Sequence, residues 1–367
     1  MTADPAGPAD DRALGEPVDV EPLAAAIEHC FDMGWTDGLP VVPPAPGLVR
    51  RMLEHTSRSP SEVIWRMSQV YRTCTVELAA INAVMAGCRP EYFPVVLAAL
   101  EATIAEGWPG AGGWQSTTGG GPLHIVNGPA RTEHGFNARG NVLGQGFRAN
   151  ATVGRAVRLV ITNVYGIRPH ELDQSTQGMP GKYTLCIAEN EEESPWQPLH
   201  VELGFAPGDS TVSAIHVRSC EFVDNRHSAS AEHLLGDIAD TISRTGSLLP
   251  LRVWALVVLG PEHAQLIAGQ GYTKADVREH LAERCARRRS DLARAGKDTV
   301  NPSWQGGMAH PGDPTALADD GDVPLVVSPD HIVVVVAGAR NAGVSTVCHP
   351  LGFLRGGIGT ALVERPA

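Results

Sequence analysis

The chain has 367 residues and a formal net charge of −12, from 29 basic and 41 acidic side chains. That length fits about two domains, each long enough to bury a core, and 43% hydrophobic against 19% charged residues excludes a disordered or fibrous protein. The acidic balance argues against nucleic-acid binding, which rests on Lys and Arg neutralising phosphates, and no run of 18 apolar residues is present to cross a membrane.

The first 16 residues are rich in Ala, Asp, Pro and Gly, with neither a basic nor an apolar region. The sequence therefore predicts a disordered tail over 1–18 and no targeting segment. A first helix is expected over 21–33, stopped at Gly34, and a Pro-rich turn over 39–46 leads to a short helix through Met52 and Leu53. Thr75 reads as the N-cap of an amphipathic helix that Gly87 ends, and Pro90 opens a second helix to Ile104, making a hairpin. Residues 107–146 are glycine-rich around one buried strand, 123–126. A helix over 150–165 follows, then strands at 183–188, 199–203 and 211–217.

Polar residues 224–227 mark the expected boundary between a first domain, 19–224, and a second, 225–367. The second alternates between helix 234–242, strand 253–259, helices 261–269 and 273–295, a Gly/Pro/Asp-rich loop over 297–322, and strand 332–336. Continuous apolar strands separated by helices imply a parallel sheet covered on both faces. The expected fold class is α/β: a helical and mixed N-terminal part followed by an α/β part with a mostly parallel sheet, and no internal repeat is visible. The basic run from Arg284 to Arg294 reads as a solvated helix end, where cations offset the dipole. Seven widely spaced cysteines without a C-x-x-C pair suit reduced thiols in the cytoplasm, not a disulfide framework or a zinc finger.

Several phrases occur together: "DGLPVVPP" (37–44), "INAVMAGCRPEYFPVVLAALEA" (81–102), "RANATVGRAVRL" (148–159), "GKYTLCIAENEE" (181–192), "SPWQPLHVELGF" (194–205) and "GYTKADVREHL" (271–281). Through them, over roughly residues 20–345, the chain resembles an uncharacterised bacterial protein family found alongside small proteins with a Cys/selenocysteine-Gly-Ser-Cys motif. The resemblance implies a bacterial, metabolic protein and thiol chemistry by association. It supplies no catalytic assignment. Where the family pattern has a Gly-Gly-rich loop and Lys-His-Ser, this chain reads "AGARNAGVSTVCHP" (337–350), so a role for such a Lys or His does not carry over.

Glycines 140–146 open the helix containing Arg148, Asn150 and Arg155. Free N–H groups and the positive dipole end there suit a carboxylate or phosphate, which arginine grips bidentately; the alternative is a structural turn capped by Asn150. Cys88, near the helix start at Pro90 and beside Arg89, is placed for a stabilised thiolate, or else fills the hairpin corner. Cys348, next to His349, is a second thiol candidate, whereas Cys186 alternates with apolar neighbours and reads as core. Glu189 and Asn190 follow a strand, and His200 and Glu202, two apart on the next, share a face. Glu189, Asn190 and His200 offer acid–base chemistry or substrate hydrogen bonds, and His200 with Glu202 would be the place for a divalent metal; the alternative is a structural polar network. Trp35, Trp108, Trp114, Trp196 and Trp304 lie beside Gly or Pro in loops, where aromatics line pockets. "WQSTTGGGP" (114–122) resembles an amidase loop through Ser116 but has no identifiable lysine partner.

These readings converge on a cytoplasmic enzyme acting on a small anionic metabolite. Cys88, Glu189, His200 and Cys348 are its catalytic candidates, and Arg148, Asn150, Arg155, Asn190 and Trp114 its binding residues. A thiol-dependent oxidoreductase or lyase is the expected class, without a cofactor and without contacts to nucleic acid or membrane. The alternatives are a metal-dependent lyase or hydrolase, and a non-catalytic subunit docking a small redox partner protein. A homo-oligomer is compatible with each.

Overall fold

The computed structural model describes residues 21–105, 113–248, 253–295, 297, 321–326, 328–351 and 358–364. The expected tail over 1–18, nearly all of the loop over 297–322, Trp108 and Trp304 lie outside the described residues.

Caps place the first helices where the sequence puts them. The helix Glu21–Asp32 gives way to Gly34, at φ +66, and Pro46–Leu53 follows the Pro-rich turn. Thr75 Oγ1 accepts from Leu78 N at 3.3 Å and Gly87 adopts φ +88, bounding the helix Val76–Ala86. A 3-10 turn at Pro90 leads into Phe93–Ala105, completing the hairpin. Both pack with the helix Arg148–Asn163 in one apolar cluster that includes Val76, Phe93, Leu100, Val153 and Val157. An antiparallel pair, β1 (Val63–Met67) and β2 (Arg72–Thr75), was not legible in the sequence. Its alternation is broken by Arg66 and Arg72, and its turn carries Tyr71 at φ +53.

Among the described residues the main sheet has seven strands: β3 (Gly121–Asn127), β4 (Cys186–Ala188), β5 (Thr211–Asp224), β6 (Ala255–Leu259), β9 (Ile332–Val336), β10 (Val344–Pro350) and β11 (Gly359–Leu362). A separate small pair is formed by β7 (Ala286–Arg288) and β8 (Asp322–Pro324). The order in the main sheet is β4-β3-β5-β10-β6-β9, with β11 beside the first residues of β5. Among its described strands only β3/β4 and β6/β9 pair in parallel; β3/β5, β5/β10, β10/β6 and β5/β11 are antiparallel. The sheet is mixed and mostly antiparallel, which corrects the expected mostly parallel one. The apolar runs had reported burial on both faces, and that burial has another cause. The sheet curls on itself, and helices cover its outside.

Leu123, Ile125, Ile187, Ile215, Leu256, Val258, Val333 and Val335 fill the inner face. Outside, the N-terminal helices cover one half, and helices Ala231–Ile242, Pro261–Gly269 and Lys274–Arg284 cover the other. The curl brings the edge strands together: Asn190 N donates to Val336 O at 2.7 Å, and Asn190 Nδ2 to Gly338 O at 3.1 Å. The sheet runs straight across the boundary expected near residue 224. The long helix expected over 273–295 stops at Arg284, because Cys285 leaves helical geometry at ψ 80 and β7 begins. The arginines of that basic run pair with acids instead, Arg284 with Glu232 and Arg287 with Asp240.

The topology repeats although the sequence shows no repeat. In each half a helix leads to a strand (β3, β6), a helical connection returns to a parallel neighbour (β4, β9), and an antiparallel strand (β5, β10) lies on the other side. The two units meet where β5 pairs with β10. Each first strand ends in Gly-Pro, Gly128-Pro129 and Gly260-Pro261. A Cβ on Gly128 would lie 2.0 Å from Asp209 O, and one on Gly260 2.3 Å from Val344 O. A serine hydroxyl braces each turn, Ser210 accepting from Ala130 N and Ser345 from Gly260 N.

Candidate functional site

The anion site expected at the start of the helix Arg148–Asn163 does not assemble. Arg148 Nε donates to Gly87 O at 3.0 Å. Arg155 clamps both Asp37 carboxylate oxygens at 2.7 and 2.8 Å and also donates to Leu39 O and Pro40 O, so it pins the "DGLP" segment. Asn150 is spent on the backbone of Asn137 and on Cys186 O. The thiol expectations are also corrected. Cys88 is buried, 6% exposed, and burial pushes its thiol up to about 12. Cys348 is fully buried, held protonated by its hydrogen bond to Cys220 and by burial. Neither sulfur lines a cavity described below.

Glu189, Asn190 and His200 are all buried, but with different surroundings: Asn190 donates to Val336 O and Gly338 O, and both His200 ring nitrogens lack a hydrogen-bond partner, Nδ1 lying 4.0 Å from Glu191 Oε1. Glu189 Oε2 accepts from Asn127 Nδ2 at 2.7 Å and Leu199 N at 2.8 Å, and Oε1 lies 3.8 Å from Lys274 Nζ. Burial raises the Glu189 pKa against the pull of Lys274 and these hydrogen bonds. The carboxylate caps a helical turn, Leu199–Glu202, where a strand was expected. Residues two apart on a helix point about 200° apart, so His200 and Glu202 share no face. Glu202 is bound by Lys274 and Arg278, and no metal-holding group of three or more His, Cys, Asp or Glu occurs among the described residues.

A cavity of about 870 Å³ lies beside the helix Arg148–Asn163. The segment Thr36–Gly38, fixed by Arg155, forms one wall, and residues 169–183 form the other. The second wall is tightly built: a Cβ on Gly119 would lie 2.6 Å from Gly178 Cα, Met179 N donates to Gly119 O, and His170 holds φ +68. A positive φ at a non-glycine residue costs of order 1–3 kcal/mol and tends to mark functional loops.

Charges converge at the cavity. Arg158 Nη2 meets Asp173 Oδ2 at 2.8 Å, and Lys182 Nζ meets the same oxygen at 2.5 Å and Ser175 Oγ at 2.7 Å, while Ser175 donates to Asp173 Oδ1. Burial works to raise the Asp173 pKa, but hydrogen bonds from Lys182 and Ser175 and the two cations bring it down to about 2. Burial and Arg158 lower the Lys182 pKa against the hydrogen bond to Asp173. Beneath Arg158 lies Trp114, its ring centroid 5.8 Å from the guanidinium carbon and edge-on to His216 at 4.9 Å. Trp114, 3% exposed, thus supports Arg158 from behind. Arg158 Nη1 is buried without a hydrogen-bond partner.

Sequence reasoning missed Arg158, Asp173, Ser175 and Lys182. Arg158 carried a signal: a cation between Val157 and Leu159, on a helix surface that is otherwise buried there. A lysine partner does exist close to the "WQSTTGGGP" loop, but Lys182 meets Ser175, whose hydroxyl lies 3.5 Å from Ser116 O. Among the described residues no helix is long and apolar enough to cross a membrane. No protein-family model matches the chain and no curated protein matches it, so the reading of this site rests on its geometry.

Proposed function

We propose that the protein is a cytoplasmic enzyme that binds a small carboxylate or phosphate in the 870 Å³ cavity and transfers a proton on it. The observation that carries this reading is the unspent hydrogen-bonding capacity of two cations at the cavity, Arg158 buried and Lys182 half-buried. Lys182 has three donors and uses two, on Asp173 and Ser175; Arg158 commits Nη2 and leaves Nη1 unpartnered. With Asp37 on the wall already paired to Arg155, one Asp173 carboxylate against two cations leaves a net positive site, and two oxygens of one anion satisfy both. The volume suits a metabolite, since ligand pockets run about 300–1,000 Å³. His170, exposed on the cavity wall, is the proton-transfer group, and the strained backbone fixes its position.

Thermal-shift and calorimetric titration with small mono- and dicarboxylates and inorganic phosphate tests the reading. Binding by the wild type and at least about tenfold weaker binding by Arg158→Lys is expected, because lysine keeps the charge but loses the planar fork. A panel without a binder, or equal affinity in the variant, would overturn it.

A further inference from the structure

Cys220 and Cys348 lie directly opposite each other on β5 and β10, in register, with sulfurs 3.3 Å apart. They are 128 residues apart in sequence, which hid the pair from any spacing argument. Opposed residues of an antiparallel pair have Cα atoms about 4.5 or 5.5 Å apart, and both values fall within the roughly 4.4–6.8 Å span of a disulfide. Closing the contact to a bond of about 2.05 Å moves the sulfurs by only about 1.2 Å. We propose that Cys220 and Cys348 are a site of reversible oxidation, forming an intramolecular disulfide by exchange with a small-molecule disulfide.

The two thiols are unequal in the way exchange requires. Cys220 is half-buried and Cys348 fully buried, so an oxidant meets Cys220 first. The Cys348 thiol donates to Cys220, which favours thiolate at Cys220, while the same bond and burial keep the proton on Cys348. In the first step the Cys220 thiolate attacks one sulfur of the small disulfide, forming a mixed disulfide and releasing one thiolate. In the second, Cys348 gives up its proton to that released thiolate and attacks the Cys220 sulfur, expelling the second thiolate, which takes up the proton that Cys220 had given to water. The balance is two protein thiols oxidised and one small disulfide reduced to two thiols. The resulting bond would staple the two repeated units at their shared strands. The other cysteines, Cys30, Cys74, Cys88, Cys186 and Cys285, are all buried and serve as internal controls.

The test is incubation of the reduced, native full chain with glutathione disulfide, then alkylation and peptide mass mapping without reductant. The expected result is one cross-linked species joining the peptides of Cys220 and Cys348, with the free-thiol count falling by two from seven. Cys348→Ser should trap one glutathione per chain on Cys220, and Cys220→Ser should take up none. Seven free thiols under conditions that oxidise dithiothreitol, a linkage through any other cysteine, or equal glutathione uptake by the two variants would overturn the proposal.

Discussion

Asp173→Asn keeps the shape of the side chain and removes the charge that faces Arg158 and Lys182. In the fold the carboxyl is brought from 3.8 down to about 2. A carboxylate depressed in this way contributes its full stability above its unfolded pKa and loses it as pH falls through its folded pKa. At about 1.36 kcal/mol per unit, a depression of ~1.8 units corresponds to about 2.4 kcal/mol at pH 7 and roughly half of that at pH 3. Water in the open cavity screens part of this, so the expected loss is about 1–2 kcal/mol at neutral pH. Urea denaturation of wild type and variant at pH 7, 4 and 3 reads it directly. The gap should narrow by about half between pH 7 and pH 3, because the carboxyl protonates in the unfolded wild-type chain while it stays ionised in the fold. Buried His124 and His216, lowered to about 4 and about 3, also respond to acid, but they are present in both proteins and cancel. A gap under about 0.5 kcal/mol at pH 7, or one that stays constant down to pH 3, would refute the electrostatic account of the cavity.

The remaining predictions concern the fold and the thiols. Gly260→Ala places a methyl 2.3 Å from Val344 O, a backbone atom that cannot rotate away, and should cost about 2 kcal/mol or more in urea midpoints. Gly135→Ala, with open space around its Cβ but φ +67, should cost only about 1 kcal/mol. Native-state alkylation at neutral pH should leave Cys88 unmodified, given its burial and raised pKa; rapid labelling there would restore it as a thiol candidate.

Much of the secondary structure was legible because local signals sufficed. Thr75, Gly87 and Pro90 punctuate the hairpin through backbone chemistry that needs no tertiary partner, and the run Ile332–Val336 matches its strand residue for residue. What failed were inferences from local pattern to global arrangement. An apolar strand records that both its faces are buried, and a curled sheet with helices outside buries them as fully as a parallel one. The strand over 199–203 failed for a related reason. Its helical form depends on Glu189, ten residues earlier, accepting from Leu199 N, a contact invisible to any window on the segment itself. Among the site residues, Glu189, Asn190 and His200 are all buried, and no local pattern distinguishes a buried polar residue from one open to a ligand. The cavity escaped because its charges come from a helix, Arg158, and from a loop of Gly, Ser and Gln, where Asp173 and Lys182 carry no spacing signature.

The duplicated topology bears on why the Glu189 cluster exists. One residue beyond the β3/β4 register, which ends with Val126 opposite Ala188, Asn127 hydrogen-bonds Glu189, and the β6/β9 register places Leu259 opposite Val336 at the matching position before the second Gly-Pro turn. One unit thus holds a buried polar pair where the other holds an apolar one. The curl forms with either, so the polar pair is not a requirement of the architecture, and an apolar pair of similar volume at such a place is often equally or more stable. What the carboxylate adds is direction. It caps the turn at Leu199 and faces Lys274, a residue of the second unit that also binds Glu202 and Gln197 O. The helix Lys274–Arg284 is thereby tied to the first unit through groups that tolerate one geometry, which greasy packing alone would leave free to slide.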